Sequence, residues 1–190
     1  GHSMGGTASL LLAYARPDLV SRLILIDPVI LPYSYRLIYK FLQKVGLMKI
    51  HPMVRGALMR RNTWENKDEA IEYFRKKNLF KKIPTEVIKN YVEGGLKKNN
   101  NGKFELCCKP EWEAANFRLS PDEIGFNLKK SGVPIKLILP PNSYVCNKRS
   151  QNKLKRLMPQ IEIVTVKDTT HMLPLENSGA VSNEINKFLS

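Results

Sequence analysis

The sequence predicts an α/β fold interrupted by a helical insert. Three observations carry that reading. A serine bracketed by glycines opens the chain directly before an apolar helix. Short apolar runs suited to parallel strands stand near the two ends, at residues 23–26, 134–139 and 161–166. Residues 31–125 instead carry apolar side chains at helical spacing. The chain has 190 residues, 43% hydrophobic and 25% charged, which is the composition of a globular domain and not of a disordered segment. A chain of that length buries enough surface to fold without a disulfide or metal staple.

The elements follow in order. Residues 4–16 form a helix around Leu10, Leu11, Leu12 and Ala13, stopped at Arg16-Pro17-Asp18 because proline resists continuing it. Leu23-Ile24-Leu25-Ile26 is short and does not alternate, as expected of a strand buried on both faces. Four or five helices with little sheet are expected over 31–125, from patterns such as Leu37, Phe41, Val45 and Ala70, Tyr73, Phe74. Thr63 is the expected cap of the helix carrying Asp68, Glu69 and Glu72, since acids favour a helix start. Pro84-Thr85-Glu86 opens another helix, and the run from Lys97 to Gly102 reads as a polar turn. Residues 134–139 are a strand ended by Pro140-Pro141, 150–158 a helix, 161–166 a strand and 179–189 a closing helix. The expected division is therefore a core at 1–30 and 126–190 with an insert at 31–125.

Gly1-His2-Ser3-Met4-Gly5 matches G-x-S-x-G. Chance produces such a match in roughly one chain in fifteen of this length, so its context must carry the argument. That context is a helix directly after the serine, as a nucleophile elbow requires. Such an elbow holds Ser3 in a strained turn and aims a helix N-terminus at developing negative charge, with the Met4 N–H as an oxyanion donor. Of His2, His51 and His171, the last follows the 161–166 strand by a short loop, where a general base is commonly presented.

These residues resemble the α/β-hydrolase family. Gly1-His2-Ser3-Met4-Gly5-Gly6 is similar to its elbow, Leu23 to Pro28 to its next strand, and Asp168 to Glu176 to its histidine loop and following helix. The insert resembles the family's helical cap, and the stretches Trp64 to Ala70 and Gly102 to Pro110 resemble fungal lipase-like members such as the yeast peroxisomal lipase type. The resemblance implies an α/β-hydrolase fold with a cap insert, lacking the N-terminal strands. An upstream strand and a second oxyanion donor would belong to a preceding segment, so the 190 residues look like a C-terminal part, expected to be inactive and aggregation-prone alone.

The implied activity is that of a serine hydrolase acting on carboxylic esters of lipids or other apolar acyl groups, through an acyl-enzyme on Ser3 with His171 as base. The family commonly places the triad acid after the strand that follows the cap, but residues 124–161 contain no Asp or Glu. Asp27, ending the strand after the elbow helix, is the best candidate; Asp168 and Glu113 rank behind it. Tyr33, Tyr35, Tyr39, Phe41, Trp64 and Trp112 are candidates for an acyl pocket, although cap core is the commoner fate of such residues. The alternative is a degenerate or truncated member with a binding role or no activity.

No cofactor and no metal are expected. Cys107 and Cys108 are adjacent, Cys146 is alone, and no CxxC or Cys/His spacing occurs, which favours a reducing compartment. Lys and Arg number 31 against 17 Asp and Glu, giving +14. That excess permits attraction to nucleic acid, anionic lipid or acidic substrates. The basic residues are scattered, so a solvated surface is favoured over nucleic-acid binding. The expected partner is a small apolar ester. No apolar run suits a membrane span, and an intracellular site, cytoplasmic or peroxisomal, is expected, although Lys187-Phe188-Leu189-Ser190 does not match an S-K-L signal.

Overall fold

The structure is a computed structural model that describes residues 1–31, 33–118 and 132–190. The chain divides into two compact units, one formed by Gly1–Tyr35 with Pro121–Ser190 and the other by Arg36–Ser120.

The first unit is a layered α/β structure. Helix α1 (Ser3–Ala15) leads through a short 3-10 turn to strand β1 (Leu23–Ile26). After the second unit the chain re-enters with β5 (Ile135–Leu139), α7 (Lys148–Leu157), β6 (Glu162–Thr165), α8 (Leu173–Glu176) and α9 (Ser178–Leu189). The strands are parallel in the order β1-β5-β6, with Leu23 opposite Ile135 and Leu137 opposite Ile163. His2 adds a parallel bridge to Ile26 on the far side of β1.

Alternation along the strands assigns the two faces. Leu23 and Leu25 of β1, with Ile135, Leu137 and Leu139 of β5, pack against Leu10 and Ala13 of α1 and Leu154 of α7. On the other face Ile138 packs with Leu173 and Val181, and Ile24, Ile26 and Val164 join them. Central β5 is buried at all five positions, which is why its sequence is apolar at every position but one. Its one charge, Lys136, is held by Glu162 at 3.2 Å and Glu184 at 3.0 Å.

The second unit contains α2 from Arg36 onward (the helix spans Tyr33–Lys44), α3 (Pro52–Leu58), α4 (Lys67–Arg75), α5 (Thr85–Gly95) and α6 (Pro110–Arg118). It also holds a small antiparallel sheet of β2 (Thr63–Trp64), β3 (Leu96–Lys98) and β4 (Phe104–Leu106), in the order β2-β4-β3. That sheet departs from the sequence expectation of a polar turn from Lys97. Lys97 and Lys98 pair with Glu105 and Phe104, and the reversal is confined to the residues between the strands. There the Asn99 side-chain oxygen accepts from the N–H groups of Asn101 and Lys103, and Gly102 takes φ 77°. The cap of α4 also differs. Thr63 lies in β2, and Asn66 caps α4 by accepting the Glu69 N–H at 2.9 Å.

Candidate active site

Ser3 begins α1 with φ 52°, in the left-handed region that costs a residue bearing Cβ about 1–2 kcal/mol. Close backbone approach fixes this turn. A Cβ on Gly1 would lie 2.5 Å from the Gly5 carbonyl oxygen, and one on Gly6 would lie 2.9 Å from the Gly1 carbonyl oxygen and 3.1 Å from Pro28 Cβ. Gly5, the second glycine of the motif, has open space at that position, so Gly6 is the one that packing requires. The Met4 N–H follows Ser3 in the first turn, where N–H groups have no intrahelical acceptor. No side chain caps this helix start.

Asp27 ends β1 with φ 38° and is fully buried. Its N–H donates to the Ile138 carbonyl at 2.9 Å, which ties the turn to β5. Thr7 of α1 donates from Oγ1 to the Val29 carbonyl at 2.9 Å, so the helix carrying Ser3 and the turn carrying Asp27 are joined.

His171 comes from the loop after β6. Thr169 Oγ1 donates to the Val166 carbonyl, and Glu176 of α8 accepts from both the N–H and the hydroxyl of Thr170. This clasp presents the imidazole between the other two residues. Nδ1 lies 2.7 Å from Asp27 Oδ2 and Nε2 lies 2.9 Å from Ser3 Oγ. A carboxylate only accepts, so Nδ1 carries the proton and Nε2 accepts from the serine hydroxyl. In such an order an imidazole is set to take a proton from a hydroxyl while the carboxylate holds its tautomer.

The structure therefore brings Ser3, His171 and Asp27 together. The other acids stand elsewhere in the fold. Asp168 is exposed and turns the histidine loop with φ 58°, while the bond to Nδ1 is made by Asp27. Glu113 of α6 pairs with Arg60 at 2.8 Å within the helical unit. The residue in the loop after β5 that serves the site is Ser143. Its hydroxyl donates to Asp27 Oδ1 at 2.5 Å and accepts the Cys146 N–H at 2.8 Å. Both carboxylate oxygens of a buried group are thus satisfied, as burial of a charge demands. A search for acids passes over a serine, so nothing in the sequence marked this residue.

His2 was also missed. Its Nε2–H donates to the His171 carbonyl at 2.7 Å, and the two rings stand 4.9 Å apart. Burial pulls the His2 imidazole below its ordinary 6.5, with the bond to that carbonyl opposing the shift. Burial, followed by the Asp27 charge, pushes the Cys146 thiol up to about 12. Tyr144 stacks at 5.5 Å from the His171 ring. With Ser143, Tyr35, Asn147, Lys148 and Arg149 it borders an open cleft of about 590 Å³. Of the other aromatic candidates, Tyr39 and Trp64 are buried, whereas Phe41 and Trp112 are exposed. Among the described residues no cluster of His, Cys, Asp and Glu is arranged to hold a metal.

No family model matches the chain. The sn-1-specific diacylglycerol lipase ABHD11 of Mus musculus is 26% identical over 209 aligned residues, covering 100% of this chain and 58% of that protein. Among solved structures, the peroxisomal alpha-beta-hydrolase Lpx1 of Saccharomyces cerevisiae matches with a TM-score of 0.76 and 20% identity, covering 100% of this chain and 51% of that one. E-2-(acetamidomethylene)succinate hydrolase matches with a TM-score of 0.67 and 18% identity, over 100% of this chain and 65% of that one. The fold is that of the α/β-hydrolases. The chain spans little more than half the length of ABHD11 and Lpx1. In this α/β-hydrolase fold the serine turn, the Asp27 turn and the histidine loop all follow one edge of the parallel sheet. No helix among the described residues is long and apolar enough to cross a membrane.

Proposed function

We propose that the protein is a serine hydrolase that cleaves carboxylic esters of lipids or other apolar acyl groups. The observation that carries this reading is the continuous hydrogen-bonded order from Ser3 through His171 to Asp27. In the first half-reaction His171 Nε2 takes the hydroxyl proton as Ser3 Oγ bonds to the acyl carbon. The carbonyl oxygen becomes an oxyanion that accepts from the Met4 N–H, with a second donor from an upstream segment. Collapse breaks the acyl–oxygen bond, and His171 returns the proton to the departing alcohol. Water then gives its proton to His171 as its oxygen bonds to the acyl carbon, and the acid leaves as the bond to Ser3 Oγ breaks and His171 returns that proton to Oγ. Asp27 holds Nδ1–H throughout and stabilises the imidazolium that forms at each transition state.

The likeness to a diacylglycerol lipase supports the choice of an apolar ester as substrate. The absence of an acid after β5, which spoke for a degenerate member, loses its force once Asp27 makes the bond to His171. The test is labelling of the full-length protein with a fluorophosphonate probe beside its Ser3→Ala form. Labelling that disappears in Ser3→Ala supports an activated serine. A folded protein that takes no label refutes the proposal.

A further inference from the structure

Helix α2 is packed the wrong way round for a helix of a water-exposed surface. At about 100° per residue, Leu37, Ile38, Phe41 and Val45 fall within one arc of about 100°. They are 48%, 55%, 62% and 45% exposed. Val45 belongs to the same helical course, since its N–H donates to the Phe41 carbonyl at 3.0 Å. The opposite side carries Arg36 and Tyr39, both buried, and Gln43, whose Nε2 donates to the Arg118 carbonyl of α6 at 2.6 Å. The side bearing Arg36 and Tyr39 thus faces protein and the apolar arc faces outward. Leu47 and Ile50 continue the exposed apolar surface beyond the helix. Scattered exposed hydrophobes are ordinary, but a continuous stripe on one helix marks a docking site.

Charge identifies the occupant. Residues 28–64 contain no Asp or Glu, whereas Arg36, Lys40, Lys44, Lys49, Arg55, Arg60 and Arg61 all lie among them. Arg60 and Arg61 pair with Glu113 and Glu69. Lys44, Lys49 and Arg55 are exposed and make no ion pair among the described residues. On the helix circle Lys44 adjoins one edge of the apolar arc, so its stem can lie along the stripe while its ammonium group reaches polar headgroups. An apolar stripe edged by a lysine, on a segment that carries basic residues and no acid of its own, is the pattern of a helix lying in the plane of an anionic bilayer.

We infer that α2 and the segment following it form a docking face for an anionic membrane surface. The inference stands apart from the hydrolase reading, because it uses none of the site residues. The test is sedimentation of the full-length protein with phosphatidylcholine vesicles, with and without phosphatidylglycerol. Retention is expected on the anionic vesicles and several-fold less on the neutral ones. Each basic residue near such a surface strengthens binding about fivefold, so Lys44→Gln with Lys49→Gln should weaken retention about 25-fold. Leu37→Gln, Ile38→Gln and Val45→Gln together should weaken it more than tenfold. All of these residues are exposed, so the melting temperature and the fluorophosphonate labelling rate in solution should not change. Equal retention on both vesicles, or an unchanged triple variant, overturns the inference. So does a dimer in sedimentation velocity that the triple variant dissociates, because a second copy would then cover the stripe.

Discussion

Replacing Asp27 by Asn removes one charge from a fully buried carboxylate and leaves its size unchanged. The wild-type group accepts at both oxygens, from His171 Nδ1–H at 2.7 Å and from the Ser143 hydroxyl at 2.5 Å. An amide offers one acceptor and one donor, so the two partners cannot both keep their bonds. With the amide oxygen toward Ser143, the NH₂ faces Nδ1. The imidazole must then carry its proton on Nε2, where it cannot receive one from Ser3. With the oxygen toward His171, the tautomer survives, but Ser143 loses its acceptor and the imidazolium loses its counter-charge. An acid in this role is worth about 10⁴ in rate. At 1.36 kcal/mol for each factor of ten, that is about 5.4 kcal/mol of transition-state stabilisation. The assay is the second-order rate of fluorophosphonate labelling of full-length Asp27→Asn, with a thermal melt to show that the fold persists. A labelling rate within tenfold of wild type, in a folded protein and still confined to Ser3, would remove Asp27 from the catalytic order.

Three further predictions concern the surroundings of that order. Ser143→Ala withdraws the donor to Asp27 Oδ1, a bond to a charged group worth about 1.5–3 kcal/mol, so the labelling rate should fall about 10- to 100-fold and Ser143→Thr should retain most of it. His2 has a lowered pKa in the folded state, so the unfolded chain takes up its proton first and stability falls as pH drops below 6.5; melting temperatures across a pH series should show this decline, and His2→Gln should flatten it. An equal decline in His2→Gln would assign the effect to other groups. Cys107 and Cys108 are exposed whereas Cys146 is buried with its thiol pushed up to about 12, so iodoacetamide should modify two of the three in the native protein, and rapid loss of the Cys146 thiol would contradict its placement.

The parts of the fold legible in the sequence are those in which one physical demand acts on every residue. Strand β5 is buried on both faces, and a run such as Ile135 to Leu139 satisfies that demand in only one way. The elbow was legible because its geometry restricts residue types, with Gly1 and Gly6 set by close approach and Ser3 by its place before a helix. The β2-β4-β3 sheet was not, because strands of two and three residues are too short to show alternation, and Lys97 and Lys98 look like turn residues until Glu105 and Phe104 pair with them. Asn66 displaced Thr63 as the α4 cap for a similar reason: both are good caps, and the pairing of β2 decided between them. Within the site, Asp27 is a candidate in the sequence from its place at a strand end together with the family resemblance, and the structure sets it against His171. Ser143 and His2 act on Asp27 and His171 across gaps of 116 and 169 residues, and no local pattern encodes such contacts.

The position of Asp27 has a consequence for how this architecture tolerates change. Serine and carboxylate both sit on α1 and β1, before the chain departs into the helical unit, and the imidazole follows the acid by 144 residues. The separation of hydroxyl and carboxylate is thus settled within a single supersecondary unit. When the acid instead follows the insert, any change in the insert's length must still deliver two reacting groups to their places. Here it must deliver one. The helical unit is in that sense a cassette, free to be lengthened, trimmed or exchanged by recombination, provided that the returning chain rebuilds β5, β6 and the loop that carries His171.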